Sequence, residues 1–186
     1  MAEEIGDLTK NEIEKRFIKI AKDPNTVILE YPDHVVSDKP IQSEAYFNCN
    51  GVVLLNHNVA GLSHYSLGQE PPEEYIPQLI KEISDCSYIK GLTAVLIGGS
   101  IKHYQINKEI LEKYKIPIVA EYIDGLNEGE SSEDYENKGR KDLVVIPNTQ
   151  EVLMYSEPVG YLMVYQNKKY LFPNSGWIQN KLKFLS

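Results

Sequence analysis

The sequence predicts an α+β fold built on mixed β-sheets, and three observations carry that expectation. Strand-like runs come in pairs, with helical runs set between the pairs instead of alternating one for one. Thirteen tyrosines in one chain favour half-buried, sheet-rich surfaces. A length of 186 residues with 42% apolar content supplies one sizeable core without disulfide or metal staples.

Each element follows from local pattern. Residues 7–22 predict a helix: Asp7 or Thr9 serves as cap, Ile13, Phe17, Ile18 and Ile20 mark an apolar side, and Pro24-Asn25 ends it. Residues 26–31 read as a strand closed by Pro32-Asp33, and the polar stretch to Pro40 as a loop. Residues 45–55 predict one strong strand, with Cys49 in its first half and a continuously apolar end at Val52-Val53-Leu54-Leu55. Asn56-His57-Asn58 is a turn, and residues 59–67 return as a strand carrying His64. Gly68 and Pro71-Pro72 break that strand. Residues 73–86 then show helical spacing at Tyr75, Ile76, Leu79, Ile80 and Ile83.

Further on, residues 93–97 predict a buried strand ending in Gly98-Gly99-Ser100. Residues 107–114 predict a helix, and 116–123 a strand. The polar, acidic stretch 124–139 reads as a loop. Residues 143–146, 151–155 and 161–165 read as strands, with a turn at Asn148-Thr149-Gln150 and a short last strand over 169–172. There is no internal repeat.

The balance of 19 basic and 27 acidic residues disfavours a phosphate backbone or an anionic membrane surface as partner. No apolar run approaches the roughly 18 residues that a membrane-spanning helix needs. The opening Met1-Ala2-Glu3-Glu4 lacks the layout of a signal peptide. Two cysteines do not make a disulfide framework or a cysteine-rich metal site. The expected setting is the reducing cytoplasm, or outside the cell by a route that needs no signal peptide. Neither metal nor organic cofactor is expected: His57 and His103 lack metal-ligand spacing and read as surface histidines. Cys86 reads as a packing residue at a helix end. Gly98-Gly99-Ser100 reads as a tight turn, lacking the lysine and glycine spacing of phosphate loops.

Cys49 and His64 are the candidate reactive residues. By residue type alone Cys49 is the more ordinary small buried hydrophobe. Asn50-Gly51 beside it suggests a local turn that frees the backbone amides of Cys49 and Asn50 to face an oxyanion. His64 follows on the next strand, across a short turn, where same-face residues of an antiparallel pair meet. A thiol beside an imidazole gains a general base. Read singly, the histidine is equally a hydrogen-bonded core residue.

The segment Cys49-Asn50-Gly51-Val52-Val53-Leu54-Leu55, followed by Gly61-Leu62-Ser63-His64-Tyr65-Ser66-Leu67, resembles the chemoreceptor glutamine deamidase family, CheD. That family carries Gly-Ser-Cys, an apolar strand, then a histidine in a Gly-Leu-Ala-His-like run. Leu96-Ile97-Gly98-Gly99-Ser100, Ile106-Asn107 with Leu111 and Ile116-Pro117-Ile118, and Asp124-Gly125 followed by Gly139-Arg140-Lys141 resemble its later elements in order. Deamidating toxins of the cytotoxic necrotizing factor type share the fold and the Cys-His pair. The resemblance implies a four-layer α/β/β/α sandwich of mixed β-sheets flanked by helices. It implies hydrolysis of a glutamine side-chain amide to glutamate on a protein target, with Cys49 as nucleophile and His64 as base. It also implies a helper role for Ser43, where the deamidases carry a threonine. Phe47-Asn48 departs from the family's Gly-Ser.

On this reading residues 1–186 form a single domain: a helix and lead-in over 1–40, a CheD-like core over 43–155, and a C-terminal β extension over 156–186. The expected partner is a protein substrate, with no nucleic acid and no membrane insertion. Two alternatives stand beside it. One is a non-catalytic protein-binding module on the same fold. The other is a Cys-His hydrolase acting on a small-molecule amide.

Overall fold

The structure, a computed structural model, describes residues 8–46, 49–66, 69–86, 90–98, 101–122, 140–156 and 160–173. It begins with helix α1, Lys10–Ala21. Thr9 is the cap: its hydroxyl accepts from the Glu12 amide, and the Glu12 carboxylate accepts from the Thr9 amide at 2.7 Å. This reciprocal pair satisfies two of the amides that a helix start leaves without partners. Ile13 and Phe17 are buried, whereas Ile18 points outward.

Two mixed sheets follow. The first has six strands: β1 (Val27–Ile28), β3 (Ile41–Tyr46), β8 (Lys141–Ile146), β9 (Glu151–Ser156), β10 (Gly160–Tyr165) and β11 (Lys168–Pro173), in that spatial order. The second has five: β2 (Asp33–Ser37), β5 (Val59–His64), β4 (Gly51–Asn56), β6 (Thr93–Ile97) and β7 (Ile118–Tyr122), again in spatial order. Among the described residues only β1/β3 and β6/β7 are parallel. Helix α2 is Pro72–Cys86, and α3, Ile101–Lys113, is the crossover that a parallel β6/β7 pair requires.

Apolar side chains fill three clusters. Alternate residues of both sheets, among them Ile41, Val53, Leu62, Ile97, Leu143 and Met154, meet between the sheets. The opposite face of the five-stranded sheet, through Val52, Leu54 and Leu96, packs on α2 and α3. The opposite face of the six-stranded sheet, through Val144, Leu153 and Met163, packs on Ile13 and Phe17 of α1. Strands covered on both faces are apolar at every position, which is why β4 reads Val-Val-Leu-Leu. A β-carbon at Gly61 would come within 2.9 Å of Leu79 and 3.0 Å of Ile83, so the missing side chain lets α2 lie flat on β5.

Several expectations need correction. The stretch after Pro32 is not a loop but strand β2, an edge strand paired antiparallel with β5. Residues 45–55 are not one strand: β3 ends at Tyr46 in one sheet and β4 starts at Gly51 in the other. The chain changes sheets between them, and Cys49 lies at that corner. Residues 26–31 contribute only the two-residue β1. Helix α3 begins at Ile101, well ahead of Asn107. The remaining strands and the first two helices fall where expected. The mixed α+β class is as the sequence indicates. Asp7, Phe47-Asn48, Leu67-Gly68, Gly99-Ser100, the stretch 124–139 and the extension past 173 lie outside the described residues. Among the described residues no helix is long and apolar enough to cross a membrane.

Candidate functional site

The site begins with an irregularity in β3. Ser43 pairs with Leu143 and Tyr46 with Lys141, so β3 carries one residue more than β8 between these points. In a regular strand, residues three apart face opposite sides. The extra residue of this β-bulge cancels that alternation, and Ser43 and Tyr46 both turn inward. Ala45 absorbs the twist with φ of 64°, and its amide donates to the Asp142 carboxylate at 2.9 Å.

The second contribution comes from β4 and β5. The register that joins Val53 to Leu62 and Asn50 to Tyr65 sets His64 across from Gly51. Cys49 lies diagonally from His64, on the face turned to the other sheet, and belongs to the inter-sheet core. The ladder is interrupted beside this point. The Val52 amide donates to the Ser63 hydroxyl at 3.0 Å, and the Ser63 carbonyl accepts from the Tyr46 hydroxyl at 3.0 Å. The Tyr46 ring thus lies across the strand pair, close enough that a β-carbon at Gly51 would approach it to 2.9 Å.

His64 is held from three sides. Tyr46 stacks on its ring at 3.6 Å between centroids and 11° between planes. Tyr31, about half exposed, meets it edge-on at 5.1 Å. Ser43 Oγ lies 3.0 Å from Nδ1 and 3.0 Å from the Leu29 carbonyl oxygen. The hydroxyl has one proton, and the Leu29 carbonyl only accepts, so Ser43 donates there and accepts from Nδ1–H. That fixes the imidazole with its proton on Nδ1. Nε2 is then a bare acceptor, and among the described residues it is buried without a hydrogen-bond partner.

Both reactive groups rest neutral at pH 7. Burial pushes the Cys49 thiol up to about 11, with the charge of Lys141 pulling the other way. Burial pushes the His64 imidazole down to about 4. A thiolate–imidazolium pair is therefore not the resting form. The arrangement suits a neutral imidazole that takes the thiol proton as the sulfur bonds to an electrophile.

The structure joins His64 to Ser43 by a hydrogen bond, sets Cys49 on the same face of the β4/β5 pair, and corrects the assignment of the Asn50 amide. The Asn50 amide already donates to the Tyr65 carbonyl at 2.8 Å, because Asn50 extends the β4/β5 pairing. It is not open to an oxyanion, and the Cys49 amide is the remaining candidate. Three residues went unread in the sequence: Tyr46, Tyr31 and Lys141, the last fully buried. A lysine at the head of an apolar strand gave the only signal. His57 is exposed as expected, but His103 is buried on the early turn of α3, and Cys86 is exposed. Among the described residues no cluster of three or more His, Cys, Asp or Glu could hold a metal. No protein-family model matches the chain, and no curated protein matches it.

Proposed function

We propose that this chain is a cysteine-dependent amidohydrolase that converts a glutamine side chain on a protein target to glutamate. The observation that carries the reading is the Ser43–His64 hydrogen bond, which leaves Nε2 as a bare base on the face that holds Cys49. On this reading the two sheets and their covering helices form the α/β/β/α sandwich of the CheD-like deamidases, and Ser43 stands in for their threonine. His64 Nε2 takes the thiol proton as Cys49 Sγ bonds to the carboxamide carbon. The Cys49 amide faces the oxyanion. The same proton, given to the nitrogen, lets ammonia leave and a thioester remains. Water, deprotonated by His64, then releases glutamate and the thiol.

Burial of Cys49 and its raised thiol favour a second reading, a binding module whose cysteine is inert. The test is incubation with an unfolded glutamine-rich polypeptide. Free ammonia and the mass gain of carboxamide-to-carboxylate conversion are followed together. Both are expected, falling about 10²–10⁴-fold in Cys49→Ser and His64→Gln. Unchanged turnover in either variant sinks the amidohydrolase. No turnover, with a thiol that reacts only on unfolding, supports the binding module.

A further inference from the structure

His64 is 1% exposed, so a group in solvent does not reach its ring in the resting structure. Its Nε2 is nevertheless a bare acceptor without a partner among the described residues. A buried acceptor in that state is costly, and it suits a proton donor that arrives from elsewhere. The three side chains that hold the imidazole differ in how freely they move. Tyr46, fully buried, stacks on it and donates to the Ser63 carbonyl at 3.0 Å. Ser43, also buried, is tied to Nδ1 and to the Leu29 carbonyl. Displacing either would open the close-packed core between the sheets.

Tyr31 is the exception. It is 46% exposed, lies between β1 and β2 outside any strand, and meets the imidazole edge-on at 5.1 Å. Its hydroxyl is joined to Ser66 Oγ at 2.6 Å, at the surface just past β5. Water replaces such a bond at little net loss. An exposed side chain also changes rotamer in nanoseconds or less. We propose that Tyr31 is the gate of the His64 centre: its ring covers the imidazole at rest and swings outward, exchanging Ser66 for water, when a group enters from solvent. The identity of that group rests on the amidohydrolase reading: it is the carboxamide of the target glutamine.

The test is the rate at which diethyl pyrocarbonate modifies each histidine of the full-length chain, followed by peptide mass analysis. The reagent acylates an imidazole nitrogen that carries no proton, which in His64 is Nε2. At about pH 7.5 that imidazole is neutral whether covered or open, so the rate reads access and not protonation. Exposed His57 is the reference for free access, and His103, buried on α3, is the reference for general loosening. In the parent protein His64 is expected to lag far behind His57. With the open form a minor state of about 0.1–10%, Tyr31→Ala is expected to speed His64 by about 10–1,000-fold, with His103 unmoved. Tyr31→Phe and Ser66→Ala, which keep the ring and lose the hydroxyl bond, are expected to give smaller increases.

A parent His64 as fast as His57 overturns the proposal. So does a folded Tyr31→Ala protein in which His64 keeps its rate, or in which His103 accelerates equally. If Tyr31→Ala does not fold, Tyr31→Phe and Ser66→Ala decide, and an unchanged His64 rate in both overturns the proposal. No substrate enters this measurement. An unmoved His64 rate beside normal ammonia release removes the gate and leaves the amidohydrolase. The expected rates without ammonia release keep the gate and remove the amidohydrolase.

Discussion

At the scale of single residues, the centre depends on one hydroxyl and one imidazole. Ser43 has spent its only proton on the Leu29 carbonyl, so it orients His64 as an acceptor. Ser43→Ala leaves a buried N–H without a partner and is expected to cost about 1–3 kcal/mol in urea unfolding. Ser43→Thr, which keeps the oxygen, is expected to cost less and to retain turnover. His64 also gives stability a pH dependence. Its imidazole is held near 4 in the folded chain against an ordinary 6.5. Between those values the unfolded chain binds a proton that the folded chain does not. Stability is therefore complete above pH 6.5 and is lost as the pH falls toward 4, by on the order of 3 kcal/mol. His64→Gln is expected to flatten this component, measured as the difference between the two unfolding free energies across that window.

At the scale of elements, the bulge in β3 and the corner after it place the site. Ala45 occupies backbone space that glycine takes without strain. Ala45→Gly is expected to leave thermal stability within about 1 kcal/mol of the parent, whereas a β-branched valine is expected to destabilise clearly. Equal stability for the two variants would mean that the bulge is not held as described.

These elements also mark where sequence reading worked and where it stopped. Cys49 and His64 were legible because a short turn and a same-face register follow from spacing. Ser43 was reached only through family likeness, and its partner lies in the other sheet. The bulge carried no glycine to announce it, so Tyr46 and Lys141 stayed hidden. Strand β2 was missed because its two valines sit among Asp33, His34 and Ser37, as suits an edge. The run 45–55 read as one strand because the polar break at Asn48-Cys49-Asn50-Gly51 was taken as a local turn within it, and a short break does not tell a turn from a change of sheet.

At the scale of the whole molecule, the packing of helices on sheets tolerates little extra volume. Gly61→Val would drive branched methyls into Leu79 and Ile83. It is expected to cost about 1–3 kcal/mol, read as a lower denaturation midpoint. An unchanged midpoint would show that α2 yields more readily than its close approach implies.

Ser43 belongs to one sheet and His64 to the other, and the hydrogen bond that orients the imidazole spans the gap between them. During refolding, a chain with both sheets formed but still apart has all its strands and no oriented imidazole. Far-ultraviolet ellipticity would register the strands at that stage. The nitrogen shifts of His64, which report where its proton sits, would change only when the sheets close. The oriented imidazole is thus a product of sheet closure and not of either sheet alone.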